Sequence, residues 1–465
     1  MKVLQFTCLS SVLLAFLGGC KKESKPLNVI YILADDLGYG DVGCYGQKLI
    51  KTPNIDLMAS QGMLFTQHYA GCTVSAPSRA SLMTGLHTGH TQVRGNQEIK
   101  PEGQMPMAYD TYTLGKMFKS CGYATGVFGK WGLGYPGSSS EPNVMGFDEF
   151  FGYNCQRLAH SYYPDHLWHN RQKINFPENE NYGRQTYSHD LIHEQALQFI
   201  REHKDKPFFA MLTYTLPHAE INLPHDSIYQ LYEDRFEETP FNQSTDYYPS
   251  EKPHASFAAM VSRLDKYVGD VMKELEVQGL DKNTIVIFTS DNGPHKEGGA
   301  DPKFFKSSGP FKGIKRDLYE GGIRMPMIAW APGRIRENSK SDHISAFWDV
   351  MPTFAELIGV TLPVQSDGIS FLPTLFSEGK QKKHDYLYWE FHEQGGRQAI
   401  RQGDWKLIRQ GISSPEGPWL ELYNIVEDIH EDHDLSSENT GKVKELSLLM
   451  EQVRTESTTF RFGLK

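Results

Sequence analysis

The sequence holds only six cysteines in 465 residues, and two of them, Cys8 and Cys20, lie at the extreme N-terminus. The other four, Cys44, Cys72, Cys121 and Cys155, are too few for a disulfide scaffold and leave room for one or two bridges that the spacing does not pair. Nor do they form a metal-binding cluster. Long hydrophobic runs are equally scarce: the apolar stretch from Leu9 to Leu17 is too short for a persistent membrane span. Basic excess is missing too, since 47 Lys and Arg against 57 Asp and Glu give a net charge of -10, which argues against a nucleic-acid partner. No internal repeats occur.

What is present starts at the N-terminus. Met1 to Gly19 carries Lys2, the short apolar stretch and small residues before Cys20, the pattern of a secretory signal. Leu17, Gly18, Gly19 and Cys20 resemble a bacterial lipobox. The expectation is an exported protein whose lipidated Cys20 anchors it in the periplasm or at the outer membrane, a simple cleaved signal being the alternative. The KKESK segment that follows does not decide which way it faces.

Four apolar, β-branched runs then predict buried parallel strands: Asn28 to Ala34, Tyr123 to Phe128, Pro207 to Tyr214 and Thr284 to Ser290. Each is followed by polar residues: Asp35 and Asp36, Gly129 and Lys130, Pro217 and His218, Asp291 and Asn292. In an open α/β sheet ligands bind beyond the carboxyl ends of such strands, so four separate segments aim chemistry at one rim. The helix predicted around Phe257 to Leu275 reads as packing, Gly137 to Asn143 as a loop, and the long Ala219 to Pro253 connection as a wall of the substrate pocket. After Leu372 the pattern changes to short strands (YLYWEF, RQAIRQG, DWKLIRQ, ELYNI) and a last helix near Val443 to Val453. The predicted division is a signal at 1–19, an α/β catalytic domain at 26–372 and an antiparallel subdomain at 373–465.

Ser75, Ala76, Pro77, Ser78 and Arg79 place a hydroxyl immediately before a predicted helix, with Pro77 at its first position and Gly85 at its stop. The free N–H groups of a helix start, with Arg79, would stabilise an anion there. Taken singly, the Asp35–Asp36 pair and the Asp-Asn-Gly turn at 291–293 are common caps and turns. Together they offer three carboxylates and an amide oxygen, which need a cation on a shared rim. A set with no His or Cys favours a hard ion, Ca²⁺ before Mg²⁺.

These motifs, in this order, are similar to those of the type I sulfatases of the alkaline phosphatase superfamily. The resemblance rests on DDLGYGD at 35–41, SAPSR at 75–79 with Thr84 and Gly85, GKW at 129–131, Pro217 and His218, SDNG at 290–293, KRDLYEGGIR at 315–324 and PTFAELIG at 352–359. It implies a large mixed sheet flanked by helices, with a small C-terminal antiparallel sheet. It also implies that Ser75, not the nearby Cys72, is oxidised to formylglycine (3-oxoalanine), and that an anaerobic, radical-type sulfatase-maturing enzyme is a partner. Asp35, Asp36, Asp291 and Asn292, with residue 75, would hold the Ca²⁺. The hydrated aldehyde would attack sulfur, and its second hydroxyl would later expel sulfate. Arg79 would hold the hydrate, Lys130 and Lys315 the sulfate oxygens, and His218 would act as general acid or sulfate contact. The cation and these three cationic side chains would reverse the chain's acidic field locally.

One position departs from the family. Where GKWHLG is usual, this chain reads GKWGLG, with Gly132 in place of the histidine. His218, His295 and His160 are the candidate replacements. His392, Trp389, Phe391, Tyr162 and Trp168 are candidate sugar contacts. The expected activity is removal of O-sulfate from a terminal galactose or N-acetylgalactosamine of a glycan. A phosphoester hydrolase of the same superfamily and a noncatalytic glycan-binding lipoprotein are the alternatives.

Overall fold

A computed structural model describes residues 25–242 and 247–462; the signal segment and Cys20 lie outside them. The first predicted run forms β1 (Asn28–Ala34), whose residues alternate between two cores. Ile30 and Ile32 join one cluster, Val29, Tyr31 and Leu33 the other. A strand buried on both faces needs apolar residues at every position, which is why these runs show no polar alternation.

The strands β2 (Met63–Tyr69), β3 (Ala124–Lys130), β4 (Glu149–Tyr153), β5 (His166–His169), β6 (Gln172–Asn175), β7 (Phe208–Thr213), β8 (Thr284–Ser290), β9 (Arg324–Trp330), β10 (Ser339–Ser341) and β11 (Ser345–Ala346) complete an 11-stranded mixed sheet. Its order is β10-β2-β9-β8-β1-β7-β3-β4-β5-β6, with β11 beside β2. The four predicted strands are the adjacent parallel quartet β8-β1-β7-β3. Their carboxyl ends therefore open on one rim. The packing helix spans Pro253–Val277 and buries most of its inner face.

A second sheet is antiparallel, ordered β12 (Leu387–Phe391), β13 (Arg397–Gln402), β14 (Trp405–Gln410) and β15 (Trp419–Asn424). Leu446 and Met450 of the helix Thr440–Gln452 cover one face. The other face, through Trp389, Phe391 and Ile408, packs on Tyr69, Cys72, Val74 and Trp348, next to Ser75. Cys44, Cys72, Cys121 and Cys155 are all free thiols. No helix among the described residues is long and apolar enough to cross a membrane.

Candidate active site

Ser75 is the first residue of the helix Ser75–Thr84 rather than the residue before it, and Val74 takes the extended cap position. Pro77 is therefore third, which costs nothing because the N–H groups of the first turn have no partner within the helix. Gly85 ends the helix at φ +69°. The Ala76 N–H, one of the free donors, is taken by Asn96 Oδ1 at 3.1 Å.

The strand-end carboxylates meet the serine. Ser75 Oγ donates to Asp35 Oδ1 at 3.0 Å, faces Asn292 Oδ1 at 3.5 Å and receives Lys130 Nζ at 3.3 Å. Lys130 Nζ also lies 2.6 Å from Asp35 Oδ2. Arg79 Nε donates to Asp291 Oδ2 at 2.9 Å, and its Nη2 stands 3.4 Å from Asp35. Asn292 Nδ2 donates to Asp36 Oδ1 at 2.6 Å. Burial opposes ionisation of Asp35, but the charges of Lys130 and Arg79 outweigh it and hold its carboxyl well below the usual range.

Lys315 serves the other acid of the pair. Its Nζ lies 2.7 Å from Asp36 Oδ2, 3.1 Å from His218 Nε2 and 3.4 Å from Glu297 Oε2. Three imidazoles stand in a stack: His160 over His218 at 5.2 Å, and His218 over His295 at 5.6 Å. Their chemistry differs. His295 uses both ring nitrogens on backbone, Nε2 on Pro217 O at 3.0 Å and Nδ1 from Glu297 N–H at 3.1 Å, so it has no nitrogen left to act as a base. His218 ties Nδ1 to Ala219 O and turns Nε2 to Lys315. Burial, then Lys130 and Lys315, push His160 down to about 3.

The donor set suits a hard cation. Asp35, Asp36, Asp291 and Asn292 are completely buried, and all offer oxygen. Burial, and after it the neighbouring Asp35, push the Asp291 carboxyl up to about 7. Asp36 is held at φ +62°, a conformation costly for a residue other than glycine and frequent at functional sites.

Three side chains close around the position where the family's histidine would stand. Gly132 has φ +73°, and a Cβ there would meet Gln156 Cγ at 3.8 Å and Arg79 Cδ and Lys130 Cε at 3.9 Å. Gln156 Nε2 donates to Asn96 Oδ1 at 2.8 Å, so an amide pair borders Ser75 on this side. Asn96, Gln156 and Glu297 carry no motif of their own; only Glu297, close behind Asp291 and Asn292, could have been suspected from sequence.

Several expected sugar contacts are placed elsewhere. Trp389, Phe391 and Tyr162 are wholly buried in the core because the second sheet and the 158–162 turn need apolar filling there. Trp168 is half-buried and donates Nε1 to Glu102 at 2.6 Å. His392 stacks on Phe462 at 4.2 Å and bonds Glu390 at 3.0 Å, away from the stack. Its neighbour Glu393 instead accepts the Asn96 N–H at 3.1 Å.

Comparisons with known proteins agree with this geometry. A family model described as Sulfatase matches residues 27–360, and one described as N-sulphoglucosamine sulphohydrolase, C-terminal, matches residues 311–456. The N-acetylgalactosamine-6-sulfatase of Rattus norvegicus is 32% identical over 76% of this chain and 66% of its own length. The N-acetylgalactosamine-6-O-sulfatase of Bacteroides thetaiotaomicron is 28% identical over 95% of this chain and 97% of its own. The crystal structure of Ps i-CgsB in complex with k-i-k-neocarrahexaose superposes with a TM-score of 0.77 at 28% identity, over 93% of this chain and 94% of that one.

Proposed function

The chain belongs to the sulfatase family, and from that premise we propose a carbohydrate sulfatase, a sulfuric ester hydrolase whose nucleophile is made from Ser75. The observation that carries the reading is the setting of Ser75 Oγ, between Asp35 at 3.0 Å and Lys130 at 3.3 Å on a rim lined by further carboxylates. Asp35, Asp36, Asp291, Asn292 and residue 75 would hold Ca²⁺, with Mg²⁺ second. Formylglycine and the cation together supply a water-derived oxygen nucleophile at neutral pH.

The chain's own residues do the rest. Arg79 fixes Asp291 and Asp35 against the helix that carries residue 75. Lys130 and Lys315 receive sulfate oxygens and balance the charge that develops as the sugar oxygen leaves. Lys315 Nζ holds a proton facing His218 Nε2, and this pair serves the departing oxygen. The substrate is an O-sulfated galactose or N-acetylgalactosamine at a glycan end, the second of which is supported by the names of the relatives. Serine at position 75 calls for the oxygen-independent maturing enzyme. The Leu17 to Cys20 segment supports export and a lipid anchor, in the periplasm or at the outer membrane.

Mass spectrometry of the peptide spanning Ser75, from protein produced anaerobically with a maturing enzyme, tests the proposal. Loss of two hydrogens, trapping by a hydrazine reagent and sulfate release from a sulfated sugar are expected. An intact serine together with no sulfate release would leave the phosphoester or glycan-binding reading in its place.

A further inference from the structure

Behind the Leu158–His160 turn lies a cavity of about 380 Å³, within the size range of small-molecule sites. Leu158 and Ser161 line it on either side of His160, whose ring faces the other way onto His218. Glu220, two residues after His218, lines it as well. So does Tyr248, whose neighbour Tyr247 places its ring 5.2 Å from His160. His160, and behind it His218, separate the cavity from Lys315, which would receive sulfate.

Its polar groups are unevenly committed. The carboxylates are already engaged: Glu102 with Trp168 at 2.6 Å and His166 at 2.8 Å, Asp165 with His166 at 2.6 Å, and Glu220 with the Tyr162 N–H at 2.8 Å. The guanidinium groups are barely engaged. Arg157 reaches Glu98 at 3.4 Å with its side chain 63% exposed, and Arg184 donates to Asn222 at 3.3 Å. With five N–H donors each, they keep most of their capacity for a ligand that accepts.

The walls are aromatic. Arg184 lies over the Tyr248 ring at 4.8 Å, and Tyr182 meets Tyr248 edge to face at 5.4 Å. Asn181 and Tyr182 both take positive φ, 52° and 71°, and Tyr182 is left 82% exposed. This backbone holds the Tyr182 ring at the cavity mouth against Tyr248, with most of its surface left open to a ligand.

We propose that this cavity is a subsite for a second, anionic sugar unit, bearing carboxylate or sulfate, joined to the unit whose sulfate ester is cleaved. Arg157 and Arg184 bind its anion and Tyr182 and Tyr248 flank its ring. The inference rests on the sulfatase reading above and narrows the substrate to acidic oligosaccharides.

The test compares matured enzyme on a sulfated monosaccharide and on the same unit linked to a neutral sugar, to a uronate or to a second sulfated sugar. An anionic neighbour is expected to raise kcat/KM about tenfold over a neutral one, through KM. In Arg157→Ala/Arg184→Ala, and more weakly in Tyr182→Ala, that ratio falls toward one. The larger of the uronate and sulfate effects identifies the anion. A ratio near one in the unaltered enzyme, or one that survives the double substitution, overturns the subsite. Calorimetry with the desulfated uronate-linked disaccharide separates the two proposals. Binding lost in Arg184→Ala upholds the subsite even without turnover, and no binding to the unaltered protein refutes it. Absence of sulfate release from every sugar counts against the activity alone.

Discussion

Lys315 and His218 face each other, Nζ to Nε2, at 3.1 Å, both buried at the rim of the sheet. The bond from Nδ1 to Ala219 O leaves the lone pair on Nε2, so Lys315 is the donor. Burial and the Lys315 charge hold the imidazole well below its ordinary pKa. Burial opposes the charge on Lys315, but Asp36 and Glu297 outweigh it and raise its pKa. The proton therefore resides on the lysine.

Two groups that share one proton position act as a unit. Lys315→Ala and His218→Ala are each expected to lower kcat by about 10²–10⁴-fold, the usual worth of a positioned acid. The double variant should be hardly worse than the weaker single one. Steady-state sulfate release measures all three, and fully multiplicative losses would mean independent roles.

Gly132 offers a test of the departure at GKWGLG. An added Cβ meets nothing nearer than 3.8 Å, so a methyl group fits, but φ +73° disfavours any side chain. Gly132→Ala should cost about 1 kcal/mol in urea unfolding, with unchanged m-value. Gly132→His pays the same backbone cost and restores an imidazole on a Cβ that neighbours Arg79 and Lys130. A pH–rate profile that gains a new limb in the His variant alone would show that the vacant position has been filled functionally.

The buried acids make a prediction about the cation. With Asp291 pushed up to about 7 by burial and by Asp35, a bound divalent ion relieves repulsion that the protein otherwise carries. Chelation should stop turnover and lower Tm, and Ca²⁺ should restore both better than Mg²⁺. At 100 times its Kd the ion adds about 2.7 kcal/mol. A Tm indifferent to chelator and calcium would count against the assigned ligands.

Much of this site is legible in sequence because strand ends are local facts. Asn28 to Ala34 announces a doubly buried strand by composition, and Asp35 and Asp36 follow it in the chain, so strand prediction also placed the acids. The helix starts two residues earlier than Pro77 suggests because the first turn tolerates proline at several positions. The histidine stack was not legible: His160, His218 and His295 come from three separate segments, and only the packed sheet makes them neighbours. The aromatics of YWEFHEQGG misled for a related reason. A strand facing a second core looks the same in sequence as one facing a sugar.

Lys406 predicts how the second sheet supports the site. Its ammonium, fully buried, lies 2.9 Å from Glu320 and 2.9 Å from Glu431, tying β14 to the segment that follows Lys315. Lys406→Ala would leave two carboxylates buried side by side. Loss of about 3–5 kcal/mol is expected in denaturant titration. Lys406→Ala/Glu320→Gln/Glu431→Gln should recover part of that loss, since the uncompensated charge and not the missing contact is the larger cost.

His384 gives the pH dependence. Its Nε2 sits 2.8 Å and 3.0 Å from the two oxygens of buried Asp349, which also accept the backbone N–H groups of Ala346 and Ile369. Burial lowers the imidazole pKa, but Asp349 outweighs it and the net shift is upward. The folded state therefore binds the proton more tightly than the unfolded chain does. The ion pair's contribution is complete below the unfolded value of about 6.5 and is lost as pH rises through the raised folded value. Unfolding free energy should fall over that window. In His384→Gln the fall should be smaller, because the variant is less stable than the parent at about pH 5.5 and matches it more closely at about pH 9. Buried carboxyls elsewhere, such as Asp265 at about 7, titrate in both proteins and cancel in the comparison. Parallel curves for the two proteins would show that His384 carries no charge in the folded state.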